Sequence, residues 1–389
     1  MPNTKLKLSF VVSILALLLI FVTGCSKQET KAEKKGEEDF YIGVSAPFTG
    51  DNAEYGAQWK RGFEIALEEI NSKGGIKGKQ LKLIFEDSQS DPKQAVNIAQ
   101  KFTKDNRILA TLGDFTTPAT WAASPVYQSA GLVQLAVTPS HVELTKPGDY
   151  IFQLNATDYD RSRWLVEVAV NRFHPKKVAL LYLNNDYGKG GRDNIKDLFA
   201  KKNVEIVASE TYLGTDKDFK AQITNIKAAN PDLIALVSYY TDAAAIAKQT
   251  RDLGINVPFV ALPSVHNPSL LSLGGSSVEG LTTLALFNLE KPSPVLKNFI
   301  EKHKAKFGGK DVDSFTVLAY DAVKLLANAI EQSDGSRKSI RDALAKTKDF
   351  PGASQEKITY SDKRQLENVV LYPIIVKDGK FVPVPALTN

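Results

Sequence analysis

From residue 40 onward, short runs of β-branched and aliphatic residues alternate with longer stretches in which apolar positions recur every three or four residues. The strand-like runs fall at 41–46, 81–87, 108–112 and 132–137, then at 178–183, 204–209, 233–238 and 257–262. Most of their residues are apolar, as in strands covered on both faces. Helical spacing fills the intervals. In 55–71, Trp59, Phe63, Ala66, Leu67 and Ile70 share one face, and Lys60, Arg61, Glu64, Glu68 and Glu69 lie mostly on the other, which predicts a surface helix. Asp91-Pro92 predicts the next helix start, with Asp91 capping free amides, Pro92 tolerated at the first position and Gln94 completing a capping box. Further helices are predicted at 118–129, 160–173, 190–201, 219–229, 242–253, 294–307, 315–332 and 338–346. This alternation predicts an α/β fold of doubly wound parallel sheets, and 389 residues at 43% hydrophobic composition are enough for two lobes with separate cores.

Ahead of this region the pattern changes. Lys5 and Lys7 precede an apolar run at 8–22 that ends in the small residues Thr23 and Gly24. The run is short against the about 20 apolar residues of a membrane span, and it reads as an export signal at 1–24. Cys25 is the only cysteine of the chain, and Val22-Thr23-Gly24-Cys25 resembles the lipobox of bacterial lipoproteins. That predicts cleavage after Gly24 and lipidation of Cys25, since two or more acyl chains at about 0.8 kcal/mol per buried methylene anchor stably. The stretch 26–38 holds one alanine and no larger apolar residue, so 25–39 is expected to be a solvated tether. Removing 1–24 takes away two lysines and no acid, lowering the formal charge from +5 to +3. No basic stripe interleaved with aromatics appears, and nucleic acid is not an expected partner.

Enzyme signatures are missing. The chain has no Gly-x-Ser-x-Gly elbow and no phosphate-binding Gly-x-x-x-x-Gly-Lys loop, and Gly43-Val44-Ser45-Ala46-Pro47 stands where a dinucleotide fingerprint would follow the first strand. Gly188-Lys189-Gly190-Gly191 follows a strand, but Arg192 and Asp193 come where a third fingerprint glycine is needed, and a tight turn is expected there. His141, His174, His266 and His303 are far apart, with no second ligand at metal spacing, so neither metal nor other cofactor is expected. His174 reads as a helix-end residue, whereas His141 and His266 fall in loops after strands and are candidates for a pocket wall.

In open α/β sheets ligands sit beyond the carboxyl ends of strands, beside helix N-termini. Two such loops carry hydroxyls: Gly113-Asp114-Phe115-Thr116-Thr117-Pro118-Ala119-Thr120 and Thr138-Pro139-Ser140. Their hydroxyls and free amides suit a carboxylate, though ordinary N-capping would also account for them.

The segment Gly43-Val44-Ser45-Ala46-Pro47-Phe48-Thr49-Gly50 with Tyr55-Gly56, then Ile70-Asn71-Ser72-Lys73-Gly74-Gly75-Ile76, then Asp87 and Asp91-Pro92, resembles the type I solute-binding proteins of the leucine/isoleucine/valine and amide group. The similarity runs from about residue 40 to the end. It implies a non-enzymatic clamshell whose lobes, 40–157 plus 286–360 and 158–285 plus 361–389, are joined by three hinge strands near Thr157, Ala285 and Tyr360. By family position, Thr117, Thr138 and Ser140 are similar to the group that holds a ligand carboxylate. Asp158 stands where the family pairs with an ammonium, with a helix cap as its other reading, and Tyr55, Tyr187 and Tyr239 align with pocket tyrosines. Where amino-acid binders carry a second acid, this chain has Leu262-Pro263-Ser264. The resemblance implies a monomeric extracytoplasmic receptor, lipid-anchored to a bacterial membrane, that passes a small carboxylate-bearing solute to ABC permease subunits. An apolar, branched-chain-like amino acid is the leading ligand, and an amide or an aliphatic or aromatic acid is the alternative. A ligand-sensing receptor for a membrane signalling protein is the other role that the same architecture serves.

Overall fold

The computed structural model describes residues 39–384, and the expected export signal, Cys25 and most of the tether lie outside the described residues. Two separate sheets form the frame. The first contains β1 (Phe40–Ala46), β2 (Leu81–Asp87), β3 (Ile108–Gly113), β4 (Val133–Ala136) and β5 (Ile151–Gln153), all parallel, in the order β2-β1-β3-β4-β5. The second contains β6 (Lys177–Leu183), β7 (Glu205–Tyr212), β8 (Leu233–Val237), β9 (Phe259–Ala261), β10 (Thr282–Ala285), β11 (Tyr372–Lys377) and β12 (Lys380–Pro383), in the order β12-β11-β10-β9-β8-β6-β7. Its β6 to β10 are parallel and repeat the winding of the first sheet, while β11 and β12 add an antiparallel edge.

The helices are α1 (Ala53–Asn71), α2 (Pro92–Lys104), α3 (Thr117–Ser129), α4 (Asp158–Phe173), α5 (Asp186–Lys201), α6 (Lys220–Ala228), α7 (Tyr240–Asp252), α8 (Pro268–Gly274), α9 (Pro294–Lys306), α10 (Ser314–Glu331) and α11 (Arg337–Ala345). Side-chain caps fix several starts: Asp91 accepts from the Gln94 amide at 2.9 Å, Asn185 from Gly188 at 2.9 Å, and Asp313 from Phe315 at 3.0 Å and Thr316 at 2.8 Å. The core strands β1, β3, β4, β6, β8 and β9 are almost wholly buried, but β2 and β7 are sheet edges with half-exposed residues, in keeping with the charged Lys82, Glu86 and Asp87 of β2 and Glu205 and Glu210 of β7.

The chain passes between the sheets three times: from β5 into α4, which packs on α5 and the second sheet; from β10 into α9 to α11, which return to the first; and from the 346–371 segment into β11. One consequence departs from the sequence reading. Helix α1 is not a simple surface helix, because α10 packs along it and buries Gln58 and Glu69 from its polar face. The glycine stretch after β6 departs as well. Instead of a tight turn, Asp186 opens α5 directly, and the glycines answer crowding: a Cβ at Gly188 would lie 1.7 Å from the Leu183 carbonyl oxygen, and one at Gly190 would lie 2.9 Å from Oδ2 of Asp158. Among the described residues no helix is long and apolar enough to cross a membrane.

Glu69 ties α1 to the returning helices. Its carboxylate accepts from Lys302 at 2.8 Å and Asn298 at 3.0 Å on α9, and from Tyr320 at 2.7 Å and Lys324 at 3.2 Å on α10. Burial alone would raise this carboxyl, but the hydrogen bonds from Lys302 and Tyr320 and the charge of Lys324 prevail and hold it at about 2. A carboxyl depressed in the folded state stabilises above its unfolded value and loses that contribution as pH falls toward the folded one. Glu69→Gln is therefore expected to cost about 2 kcal/mol at neutral pH. The difference from wild type in melting curves should shrink steadily as pH falls from 4.5 toward 2.

Candidate functional site

The carboxyl ends of β3 and β4 in the first sheet face those of β6, β8 and β9 in the second. The loops at these ends enclose a cavity of about 20 Å³. From the side of the first sheet come Phe115, Thr117, Thr138, Pro139 and Ser140, with Phe315 from the first turn of α10. From the other side come Arg161 on α4, Tyr187 on α5, and Tyr239 and Ser264 after β8 and β9. Five of the seven residues singled out in the sequence for the ligand thus meet around one space. It has room for about a single water molecule. A solute with a side chain can enter only if the two walls part.

The two others stand immediately behind the wall. Tyr55 is fully buried on α1; its hydroxyl donates to the Ser264 carbonyl at 2.7 Å and accepts from the Tyr240 amide at 3.2 Å, so one side chain of the first lobe is bonded twice to the second. Its ring stacks on Phe115, with centroids 4.0 Å apart. Asp158 is fully buried at the start of α4. Its amide donates to the Ser140 carbonyl at 2.6 Å, its Oδ1 accepts from the Ser140 hydroxyl, and its Oδ2 is without a hydrogen-bond partner beside Gly190.

The three hydroxyls are not equivalent. Thr138 donates to the Phe115 carbonyl at 2.7 Å, which clamps one loop to the other. Ser140 is engaged with Asp158. Thr117, by contrast, sits in the first turn of α3 at the cavity wall, where the helix leaves free amides and a positive dipole end. On the opposite wall Tyr187 and Tyr239 stack with centroids 5.4 Å apart, and the Tyr187 and Ser264 hydroxyls share a hydrogen bond while Ser264 donates to the Ser238 carbonyl at 2.9 Å. Burial drives both phenols well above their ordinary range, so they are neutral.

Arg161, Ser264, Phe115 and Phe315 line the cavity without having been singled out in the sequence. Arg161 is 2% exposed, and its Nη2 donates to the Thr138 carbonyl at 3.2 Å. Burial lowers its affinity for a proton, with Asp158 opposing that shift, and burial conversely raises Asp158 against the attraction of Arg161. A signal for it existed in the one-helical-turn spacing Asp158-Arg161, which puts both on one face of α4. His141 packs against Trp121 outside the cavity wall, with ring centroids 4.5 Å apart and planes tilted by 47°. His266 instead meets Ser314 at 2.8 Å and lines a second, larger cavity of about 1000 Å³ with Arg61, Asp313 and Phe381. Burial holds His266 neutral, near 3. Among the described residues no three His, Cys, Asp or Glu side chains are grouped to hold a metal ion.

The chain matches the periplasmic binding protein family over residues 39–380. It is 30% identical over 318 residues to an amino acid binding protein of Pseudomonas aeruginosa, covering 81% of this chain and 83% of that one. It is 29% identical over 298 residues to the Leu/Ile/Val-binding protein of Escherichia coli K12, covering 76% and 80%. Among solved structures, the branched-chain amino acid transporter substrate-binding protein LivJ of Streptococcus pneumoniae, in complex with isoleucine, superposes with a TM-score of 0.82 at 29% identity over 88% of this chain and 98% of that one. The leucine-binding protein LivK of Thermotoga maritima gives 0.83 at 26% identity over 89% and 97%. With two wound parallel sheets facing each other across a cavity walled by hydroxyls, tyrosines and a buried arginine, the chain belongs to the periplasmic binding protein family and is an extracytoplasmic solute-binding protein, not an enzyme.

Proposed function

We propose that this protein captures a small solute made of a carboxylate and an apolar body, and delivers it to the permease subunits of an ABC importer. The observation that carries the reading is the composition of the cavity: Thr117 and the N-terminal amides of α3 on one wall, the rings of Phe115, Phe315, Tyr187 and Tyr239 around it. A helix N-terminus with a hydroxyl suits an anion, and the rings suit an aliphatic group. The names of the relatives add weight to a branched-chain amino acid skeleton, since those proteins are described as binding leucine, isoleucine or valine. The lobes in this reading are 40–157 plus 286–360 and 158–285 plus 361–389, flexing where the chain passes between the sheets. The closed form is the one that docks on the permease, and it works as a monomer. The lipid on Cys25 holds the protein at the membrane, and the polar stretch after it gives reach.

The reading is tested by a thermal-shift panel of amino acids, amides and organic acids. A true ligand at a hundredfold excess over its dissociation constant stabilises by about 2.7 kcal/mol, which moves the melting temperature upward; silence across the panel would refute capture of a carboxylate. Thr117→Val should weaken the best ligand about tenfold in calorimetry with little change in melting temperature, because it removes a hydroxyl facing the solute. Thr138→Val should do the reverse, lowering stability by about 1 kcal/mol, because its hydroxyl is spent on the Phe115 carbonyl. Equal effects of the two on affinity would contradict the assignment. In fractionated cells, Cys25→Ala should move the protein from membrane to soluble fraction with its ligand affinity unchanged; retention on the membrane would argue against the lipid anchor.

A further inference from the structure

The charge of the cavity is unusual for a site that would receive a zwitterion. Arg161 is the charged side chain on the wall, and its guanidinium is almost entirely removed from water. Of its five N–H donors, one reaches the Thr138 carbonyl, and Nε has no hydrogen-bond partner. Among the described residues it makes no direct ion pair: Asp158, one turn earlier on α4, and, more weakly, Asp160 attract it from a distance. Asp158 itself does not line the cavity. Its Oδ1 is held by Ser140, and its Oδ2, without a hydrogen-bond partner, is turned away from the cavity toward Gly190 of α5. A buried cation left with spare donors is poorly compensated, and an acceptor entering the cavity would repair this. An ammonium entering the same space would meet a like charge in a poorly screened environment. No acid follows β9 to offset this: the chain there reads Leu262-Pro263-Ser264, whose Ser264 brings a neutral hydroxyl already bonded to the Ser238 carbonyl.

We propose that Arg161 is a specificity-determining residue that selects net-anionic monocarboxylates, such as aliphatic acids without an amino group, over the corresponding zwitterionic amino acids. The inference rests on the capture of a carboxylate proposed above and narrows its ligand. In it, the carboxylate lies between the first turn of α3 and the guanidinium fork, and Arg161 draws the two walls together through one shared anion, since the carbonyl of Thr138 already holds its other edge.

Calorimetry with L-leucine and with isocaproate, which is leucine without its amino group, separates the possibilities. The wild-type protein should bind isocaproate at least about tenfold more tightly than leucine. Arg161→Gln should weaken isocaproate about a hundredfold and abolish that preference, while Arg161→Lys, which keeps the charge without the fork, should keep the order with weaker binding. Should Arg161→Gln fail to fold, the wild-type comparison decides alone. Tighter binding of leucine by wild type, or an equal loss of both ligands in Arg161→Gln, would overturn the inference and leave carboxylate capture standing. Binding of neither ligand by wild type, with a silent organic-acid panel, would overturn both.

Discussion

The Tyr55 hydroxyl, donating to the Ser264 carbonyl and accepting from the Tyr240 amide, bonds the first sheet's layer of helices directly to the loops of the second. Everything at the site depends on that juncture. Each sheet alone presents half of a binding surface: hydroxyls and a helix N-terminus on one side, stacked tyrosines and a guanidinium on the other. With the halves together, the space between them is too small for a solute with a side chain, so occupation and closure are physically linked. A ligand that bridges the walls stabilises the closed state by its difference in affinity between closed and open forms. The passages of the chain between the sheets restrict how the halves can separate, and hinge closure of periplasmic binding proteins is a known example of such motion.

Burial sets the chemistry of the cavity. Tyrosines are kept neutral, Asp158 is raised and Arg161 is lowered, all by loss of water. In such surroundings one unpaired donor weighs more than several exposed ion pairs, because water no longer competes for it. The glycines of α5 serve the same end from the outside: at Gly190 the absence of a side chain lets the helix come against Asp158 without displacing it. By contrast, the Glu69 cluster lies among α1, α9 and α10 and ties those helices together without lining the cavity.

Much of the fold is legible in the chain because parallel strands buried on both faces must be apolar runs, and the helices between them must be amphipathic. What escapes is short or exposed. β5, β10 and β12 span three or four residues, β11 is an antiparallel strand with half-exposed positions, and α8 holds seven residues, less than two turns, so none repeats its pattern often enough to be read. The burial of Gln58 and Glu69 escapes because it comes from a helix some 250 residues later in the chain. At the site, Thr117, Thr138, Ser140, Tyr187 and Tyr239 are found by their place after strands and by family likeness. Arg161 is not, because an arginine in an amphipathic helix reads as solvated until its neighbours are known. Thr138 and Ser140 show the converse: type and position are legible, but which hydroxyl is already spent is a matter of geometry.

The most direct test of the account is a crystal structure with a monocarboxylate bound. The solute carboxylate should lie between the Thr117 hydroxyl, the first-turn amides of α3 and the Arg161 guanidinium, with the apolar body against Tyr187 and Tyr239. A solute resting in the larger cavity beside His266, or one whose carboxylate points to solvent away from Arg161, would contradict it.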